Sequence, residues 1–284
     1  MLKYALLSTC LVMSLCLTTA PRVYGNENVI NNVGYSDVTG LDYFRADDKL
    51  VYGDDDSSLQ YGLLWIPREL AAPARAPLII LIHGGCWLNA YDIQHSFPLA
   101  SALAGEGYAV WSVEYRRTGD TGGGWPGSFE DVVQAVQYIH SLERFPVDFD
   151  HTVIVGHSAG GHLALLAGAR HPHVKAVVGL AAITDVVSYS RGENSCQKAT
   201  VDFLGGDYES RPAAYREANP AGQALHANNI LLHGDADTIV PLQQAELPGA
   251  STRRLGGAGH FDWIHPGTRA YQLLLSTVEE VLQK

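Results

Sequence analysis

The sequence predicts an α/β fold in which helices cover both faces of a mostly parallel central sheet of about eight strands. Short, nearly continuous apolar runs are typical of strands buried on both faces, and PLIILIH (Pro77–His83) is the clearest of them. Segments with helical spacing separate these runs, and strands that alternate with helices form parallel sheets through right-handed crossovers. No internal repeat interrupts the pattern, so we expect residues 26–284 to form one catalytic domain.

The individual elements follow from the order of these runs. KLVYG (49–53) and QYGLLWIP (60–67) flank an acidic turn and should pair antiparallel. After PLIILIH, the predicted strands are Ala109–Val113, Thr152–Val155, Lys175–Leu180 and Ile230–His233, and the predicted helices are His95–Gly105, Ser128–Leu142, Ala159–Arg170 and Thr268–Leu282. Residues 186–226 contain only short helical pieces between sheet strands, which is typical of a small cap insertion over a binding site.

The charge of the chain excludes some classes of partner. The formal net charge is −11 and the isoelectric point is near 5.5. Nucleic acids and anionic membrane surfaces bind basic surfaces, so neither is expected as a partner. The acidity itself says nothing positive about the substrate.

The N-terminus has the pattern of a secretory signal peptide. One lysine precedes an apolar stretch that ends in small residues, and this stretch is shorter than the roughly 20 apolar residues that a spanning helix needs. We expect removal of residues 1–25, with cleavage after Ala20 or Gly25, no stable membrane insertion afterwards, and a secreted or periplasmic protein. An uncleaved anchor and a lipoprotein signal at Cys10 or Cys16 are the alternatives.

Two cysteines, Cys86 and Cys196, remain in the mature chain. In an oxidising compartment they can form one disulfide, or they can stay two separate buried thiols. Neither has partners at the spacing of a zinc site. His171 and His173 resemble a metal pair only superficially, so we expect no metal.

The stretch VIVGHSAGGH (Val153–His162) contains the candidate nucleophile. An apolar strand ends at GHSAG, which matches G-x-S-x-G, and a helix follows. In that context the serine sits on a sharp strained turn that exposes its hydroxyl above the sheet. Ser158 is therefore the predicted nucleophile, and the N–H of Ala159, at the start of the helix, is a candidate oxyanion donor.

HGGCW (His83–Trp87), at the end of another apolar strand, is the candidate oxyanion loop. Acyl transfer places negative charge on the former carbonyl oxygen, and fixed backbone N–H groups stabilise that charge without rearranging. Adjacent glycines let the backbone approach closely. We predict that the N–H groups of Gly85 and Cys86 act together with that of Ala159, and that Trp87 either forms a wall of the substrate pocket or packs in the core.

Two further loops supply an acid and a base. A serine needs a histidine to take its proton, and the histidine needs a carboxylate to fix its tautomer. HGDADTIVP (233–241) offers Asp235 and Asp237, of which Asp237 is the predicted triad member and Asp235 a loop-stabilising residue. His260 lies in the Gly-rich stretch GGAGHFDW, between the predicted last strand and the closing helix. The chain order Ser158, Asp237, His260 is that of α/β-hydrolases.

Taken together, five stretches resemble the esterase/lipase branch of the α/β-hydrolase superfamily, which includes hormone-sensitive-lipase-like, feruloyl-esterase-like and kynurenine-formamidase-like proteins. They are HGGCW, VEYR (113–116), GHSAGGHLA (156–164), FLGG (203–206) and HGDADTIVP. The resemblance implies an eight-stranded sheet, a catalytic triad of Ser158, Asp237 and His260, and no metal or organic cofactor. Cys86 departs from the family, where many relatives carry glycine or an aromatic residue.

The function expected from these motifs is that of a serine carboxylesterase that hydrolyses a small or medium carboxylic ester through an acyl-enzyme. An arylformamidase or another amidase, and a serine peptidase, are alternatives of the same fold. A catalytically inactive binding protein should have lost a triad or oxyanion residue, and none is lost here.

Overall fold

The computed structural model describes residues 30–53, 58–70, 74–139 and 143–283 of the chain. The predicted signal peptide lies outside the described residues, as do most of the acidic turn and the end of the second predicted helix. The strands are β1 (Asp48–Val51), β2 (Tyr61–Trp65), β3 (Ala76–Ile82), β4 (Ala109–Val113), β5 (Val147–His157), β6 (Ala176–Leu180), β7 (Asn229–Gly234) and β8 (Ala250–Leu255).

These strands form one eight-stranded sheet in the order β1-β2-β4-β3-β5-β6-β7-β8. β1 pairs antiparallel with β2, and β2 pairs antiparallel with β4. All the other neighbours are parallel. The predicted fold class is therefore confirmed. β5 is longer than the predicted run because its first residues pair with the start of β3, with a register shift between Pro77 and Leu78.

The helices are α1 (Tyr35–Thr39), α2 (Phe97–Gly105), α3 (Gly127–Ile139), α4 (Ala159–Gly168), α5 (Val186–Tyr189), α6 (Ser195–Leu204), α7 (Pro212–Ala218) and α8 (Arg269–Leu282). α8 begins where predicted because the Thr268 hydroxyl accepts a hydrogen bond from the Tyr271 N–H at 3.2 Å. The three short helices α5 to α7 lie between β6 and β7, in the segment predicted to be a cap.

The two faces of the sheet are buried in two separate cores. Along β3, Leu78, Ile80 and Ile82 pack into the core formed with α3 and α4. The alternating residues Ile79 and Leu81 pack into the second core, with α2 and α8. A side chain on either face of this strand is thus removed from water, and this accounts for the unbroken apolar run in the sequence. Among the described residues, no helix has both the length and the hydropathy needed to cross a membrane.

Several histidines lie within this packed structure. Burial lowers the pKa of His162 to about 4, and burial together with the charge of His83 lowers the pKa of His95 to about 3. Burial also lowers the pKa of His233. These imidazoles are therefore neutral in the folded protein, and His162 Nε2–H donates to Ala218 O at 2.6 Å.

We expect the free energy of unfolding to fall as the pH decreases from 7 to 5. The unfolded chain binds protons near the ordinary histidine pKa of about 6.5, whereas the buried histidines bind them only at lower pH. Each such histidine adds up to about 1.4 kcal/mol per pH unit to this dependence. Asp237 and Glu114 have lowered pKa values, so their contribution to stability is lost only at still lower pH.

Urea unfolding at pH 7 and pH 5 measures this slope. In His162→Gln, the side-chain amide still donates to Ala218 O but does not titrate. The slope of the unfolding free energy against pH should therefore decrease by the equivalent of about one bound proton. A slope equal to that of the wild type would contradict the assignment of His162 as a neutral buried group.

Candidate active site

Ser158 lies on a strained turn between β5 and α4. Its backbone has φ 55° and ψ −120°, a conformation that non-glycine residues rarely adopt. Two glycines permit the turn by close packing. A Cβ on Gly156 would collide with Gly160 O, and a Cβ on Gly160 would collide with the carbonyls at the end of β3. The G-x-S-x-G spacing therefore meets a packing requirement, as the sequence predicted.

The Ser158 hydroxyl makes no hydrogen bond to any residue in the described ranges. The residue is 1% exposed, and it lines a cavity of about 230 Å³ at the carboxyl ends of the parallel strands. His260, which is 7% exposed, lines the same cavity. The predicted nucleophile and the predicted base thus meet at one site, although they are 102 positions apart in the chain.

The carboxylate of Asp237 contacts the imidazole of His260. Nδ1–H donates to Asp237 Oδ2 at 2.7 Å, and the N–H groups of Ile239 and Val240 donate to Oδ1, each at 2.8 Å. Burial alone raises the pKa of Asp237, but the electrostatic interaction and hydrogen bond with His260 and the two backbone bonds outweigh it, so the pKa is lowered. An ionised carboxylate on Nδ1 leaves Nε2 as the proton acceptor.

Asp235 has a different partner. Its Oδ1 accepts the N–H of Gly257 at 2.7 Å and so connects the loop after β7 to the loop that precedes His260. Of the two aspartates in HGDADTIVP, the structure places Asp237 against the histidine and Asp235 in the loop.

His157 holds the backbone of His260 from the other side. Its Nε2–H donates to His260 O at 2.9 Å, and the two ring centroids are 4.7 Å apart. Burial and the neighbouring charge of His260 lower the pKa of His157 well below its ordinary value. A neutral His157 adds no positive charge beside the base.

The predicted oxyanion loop has an unusual backbone. φ is 106° at Gly85, 53° at Cys86 and 57° at Trp87, and Leu88 N–H closes a turn on Gly85 O at 2.9 Å. Within the described parts of the chain, the N–H groups of Gly85, Cys86 and Ala159 donate to no acceptor. Gly85 and Cys86 line the cavity, so their N–H groups are available to a ligand.

Of the two roles that the sequence left open for Trp87, a wall of the pocket or packing in the core, the structure has the second. The side chain is fully buried in the core, stacked on Phe203 with ring centroids 4.6 Å apart and in edge contact with His162. The positive φ at Cys86 and Trp87 accompanies a change in direction of the loop, so that Cys86, and not Trp87, lines the cavity.

A cluster of buried charged side chains contacts the predicted oxyanion loop. His83 contacts Glu114 Oε1 through Nε2 at 2.9 Å and Gly84 O through Nδ1 at 2.8 Å. Glu114 Oε2 accepts from Ile93 N–H at 3.0 Å and from Arg117 at 3.3 Å. Burial alone raises the pKa of Glu114, but His83 and Arg117 outweigh it and lower that pKa. Sequence analysis missed Glu114, although a carboxylate directly after the apolar strand AVWSV was a signal for it.

A disulfide joins Cys86 to Cys196, with the Cα atoms 5.1 Å apart and 110 positions between the residues in the chain. It connects the predicted oxyanion loop to α6, and both cysteines line the cavity. Of the two states that the sequence left open, the structure has the bonded one. Among the described residues, His, Cys, Asp and Glu side chains form no group of three that could hold a metal ion.

We expect the double variant Cys86→Ser with Cys196→Ser to be less stable than the wild type. The bond closes a long loop, and such a cross-link typically contributes about 2–4 kcal/mol, chiefly by restricting the unfolded chain. Replacing both cysteines avoids a lone reactive thiol. Calorimetric melting of the two proteins measures the effect, and equal melting temperatures would contradict it.

Comparisons with known proteins agree with this architecture. The BD-FAE family model matches residues 64–248, more than half of the chain. Esterase LipC of Mycobacterium tuberculosis is 29% identical over 270 residues, which cover 81% of this chain and 64% of that protein. Esterase LipQ of the same organism is 28% identical and covers 69% of this chain and 50% of its own length.

The chain thus spans less than two thirds of these two relatives. Among solved structures, esterase B from Lactobacillus rhamnosis superposes with a TM-score of 0.70 at 20% identity, over 87% of this chain and 90% of that one. This similarity shows the shared fold. The chain belongs to the BD-FAE family, within the α/β-hydrolase superfamily that its motifs predicted.

Proposed function

We propose that the chain is a serine carboxylesterase that hydrolyses a small or medium carboxylic ester through an acyl-enzyme. One observation carries the proposal. Ser158, on its strained turn, and His260, with its ionised partner Asp237, line the same cavity. The matched relatives LipC and LipQ, both named esterases, agree with this activity.

The first half of the reaction forms the acyl-enzyme. His260 Nε2 takes the proton of Ser158 Oγ as that oxygen attacks the ester carbonyl. The hydroxyl approaches His260 when substrate binds, since catalytic hydrogen bonds often tighten only in the complex. Negative charge on the former carbonyl oxygen is stabilised by the free N–H groups of Gly85, Cys86 and Ala159. Asp237 stabilises the imidazolium.

The second half releases the products. Imidazolium gives its proton to the alcohol oxygen as the C–O bond breaks, and the alcohol leaves. Water then gives a proton to His260 and attacks the acyl group, and collapse of this intermediate returns the proton to Ser158 and frees the acid. The cavity of about 230 Å³ agrees with a short acyl or alcohol group on the substrate.

We also propose that the protein acts outside the cytoplasm, after removal of residues 1–25. The Cys86–Cys196 disulfide supports this location, because disulfides persist in oxidising compartments and are rare in the cytosol.

Ser158→Ala should lower kcat on p-nitrophenyl acetate and butyrate by at least about 10³-fold, because the nucleophile is lost. A fluorophosphonate probe followed by peptide mass mapping should label Ser158 in the wild type. Ser195→Ala is the matched control, since Ser195 also lines the cavity, and this variant should keep both label and turnover. A wild type that is never labelled at Ser158 would exclude the assignment of the nucleophile. Faster cleavage of formanilides or dipeptide amides than of esters would favour the amidase and peptidase alternatives.

Asp237→Asn should lower kcat by about 10⁴-fold, because the amide no longer fixes the required tautomer of His260. Asp235→Asn is the control in the same loop. Its side-chain oxygen still accepts from Gly257, so kcat should stay within about tenfold of the wild type. Ester hydrolysis at saturating substrate measures both. Equal losses in the two variants would show that the assignment of roles to the two aspartates is wrong.

A further inference from the structure

The N-terminal arm, which we define as residues 30–39, packs against the loop that carries His260. Asp262 makes the connection. Asn32 N–H donates to its Oδ2 at 2.7 Å, Val33 N–H donates to Oδ1 at 2.7 Å, and Gly259 N–H donates to Oδ2 at 3.0 Å. The side chain is fully buried. One carboxylate thus ties the residue before His260 to a segment about 230 positions earlier in the chain.

The fit between the arm and this loop is tight. A Cβ on Gly259 would collide with the side chain of Asn32, so a larger residue before His260 would displace that side chain of the arm. Asn32 itself has φ 54°. Further contacts hold the arm at both ends, where Ile30 forms a bridge with Thr268 and Val38 is fully buried. A backbone in a strained conformation persists where its surroundings fix it.

The arm also reaches the cavity, through Tyr35. Its ring contacts Tyr91 and Phe261 edge-on, each with centroids 5.7 Å apart, and lies 5.8 Å from the ring of His95. All four residues line the cavity that contains Ser158. Tyr35 is 37% exposed, so part of its ring is open to a ligand. The rings of Tyr35, Tyr91 and Phe261 form one apolar side of the cavity, and Tyr35 contacts both of the other two.

We propose that the N-terminal arm forms part of the active site. Asp262, which binds the arm, positions the loop of His260, and Tyr35 determines specificity by contacting the apolar part of the ester. The proposal rests on the proposed esterase function. The arm lies outside residues 64–248, which the family model matches.

A structural role alone makes different predictions. If the arm only stabilised the fold, changes in it would lower the melting temperature and leave kcat and the order of preferred substrates unchanged in the folded protein. If the arm shapes the site, substitution of Tyr35 changes the ratio of kcat/KM between substrates. Substitution of Asp262 then lowers kcat with little change in KM.

The deciding experiment compares Tyr35→Ala with Tyr208→Ala. Tyr208 has nearly the same exposure, 38%, and a similar edge contact with one ring, Tyr215, but it does not line the cavity. Two substrate series are used, p-nitrophenyl esters from acetate to octanoate and acetate esters of alcohols of increasing length. Tyr35→Ala should change the kcat/KM ratio between short and long substrates by about tenfold in at least one series. Tyr208→Ala and Tyr35→Phe should keep the wild-type ratios. Wild-type ratios in both series for Tyr35→Ala would overturn the proposal.

Asp262→Asn tests the positioning role. The amide places a donor where the carboxylate accepts backbone N–H groups, so the His260 loop should shift. A displacement of about 1 Å can lower kcat by about 10²-fold, and we expect KM to stay within about threefold. Titration of active sites with the fluorophosphonate corrects for unfolded protein. An unchanged kcat per active site would overturn this role of Asp262, and if the variant does not fold, Tyr35→Ala decides the proposal.

Failure of this proposal is distinct from failure of the proposed function. Wild-type protein that hydrolyses no ester and takes up no probe contradicts the esterase assignment before any arm variant is measured. Wild-type turnover with unchanged profiles in Tyr35→Ala contradicts the role of the arm alone.

Discussion

The turn at Ser158 is the constraint on which the rest of the site depends. A non-glycine residue at φ 55° costs on the order of 1–3 kcal/mol, and the surrounding packing must hold it there. Glycines at 156 and 160 let α4 approach the backbone of β3 and β5 so closely that no side chain fits between them. Ser158 N–H donates to Leu180 O at 2.8 Å, which ties the turn to β6. Three neighbouring strands thus hold one strained residue above the carboxyl edge of the sheet.

The buried imidazoles around this turn have different electrostatic surroundings. Four histidines in or near the site are buried, and the Nδ1 of His260 has the carboxylate of Asp237 at 2.7 Å. His157 and His95 have lowered pKa values and are neutral. His83 faces the carboxylate of Glu114 instead. The surroundings of each ring therefore distinguish His260, the predicted base, from the neutral His157 and His95.

The features predictable from the sequence are local ones. β3 was predictable because both of its faces are buried, and Ser158 was predictable because the strained turn needs small residues at fixed short spacing. Asp237 could be chosen over Asp235 because Val240 and Pro241 follow it within the same short loop motif.

The features that the sequence did not reveal depend on distant contacts or on backbone direction. Asp262 has partners 229 and 230 positions away, and His157 has one 103 positions away. No spacing rule connects such residues. Trp87 was ambiguous for another reason, since the sequence shows an aromatic residue after HGGC but not the two positive φ angles that accompany its placement in the core.

Two long-range connections define the cavity that the sheet alone leaves open. The disulfide joins the oxyanion loop to the cap helix α6, and Asp262 joins the His260 loop to the N-terminal arm. Closing a long loop costs entropy that grows only slowly with loop length, so distant segments can be brought to one site at modest additional cost. The predicted triad lies on loops at the edge of the sheet, whereas Tyr35 and Cys196 come from the arm and the cap. The predicted catalytic groups and the shape of the cavity therefore rest on different parts of the chain, and a change at Tyr35 or in the cap can alter which ligand fits while Ser158, Asp237 and His260 stay in place.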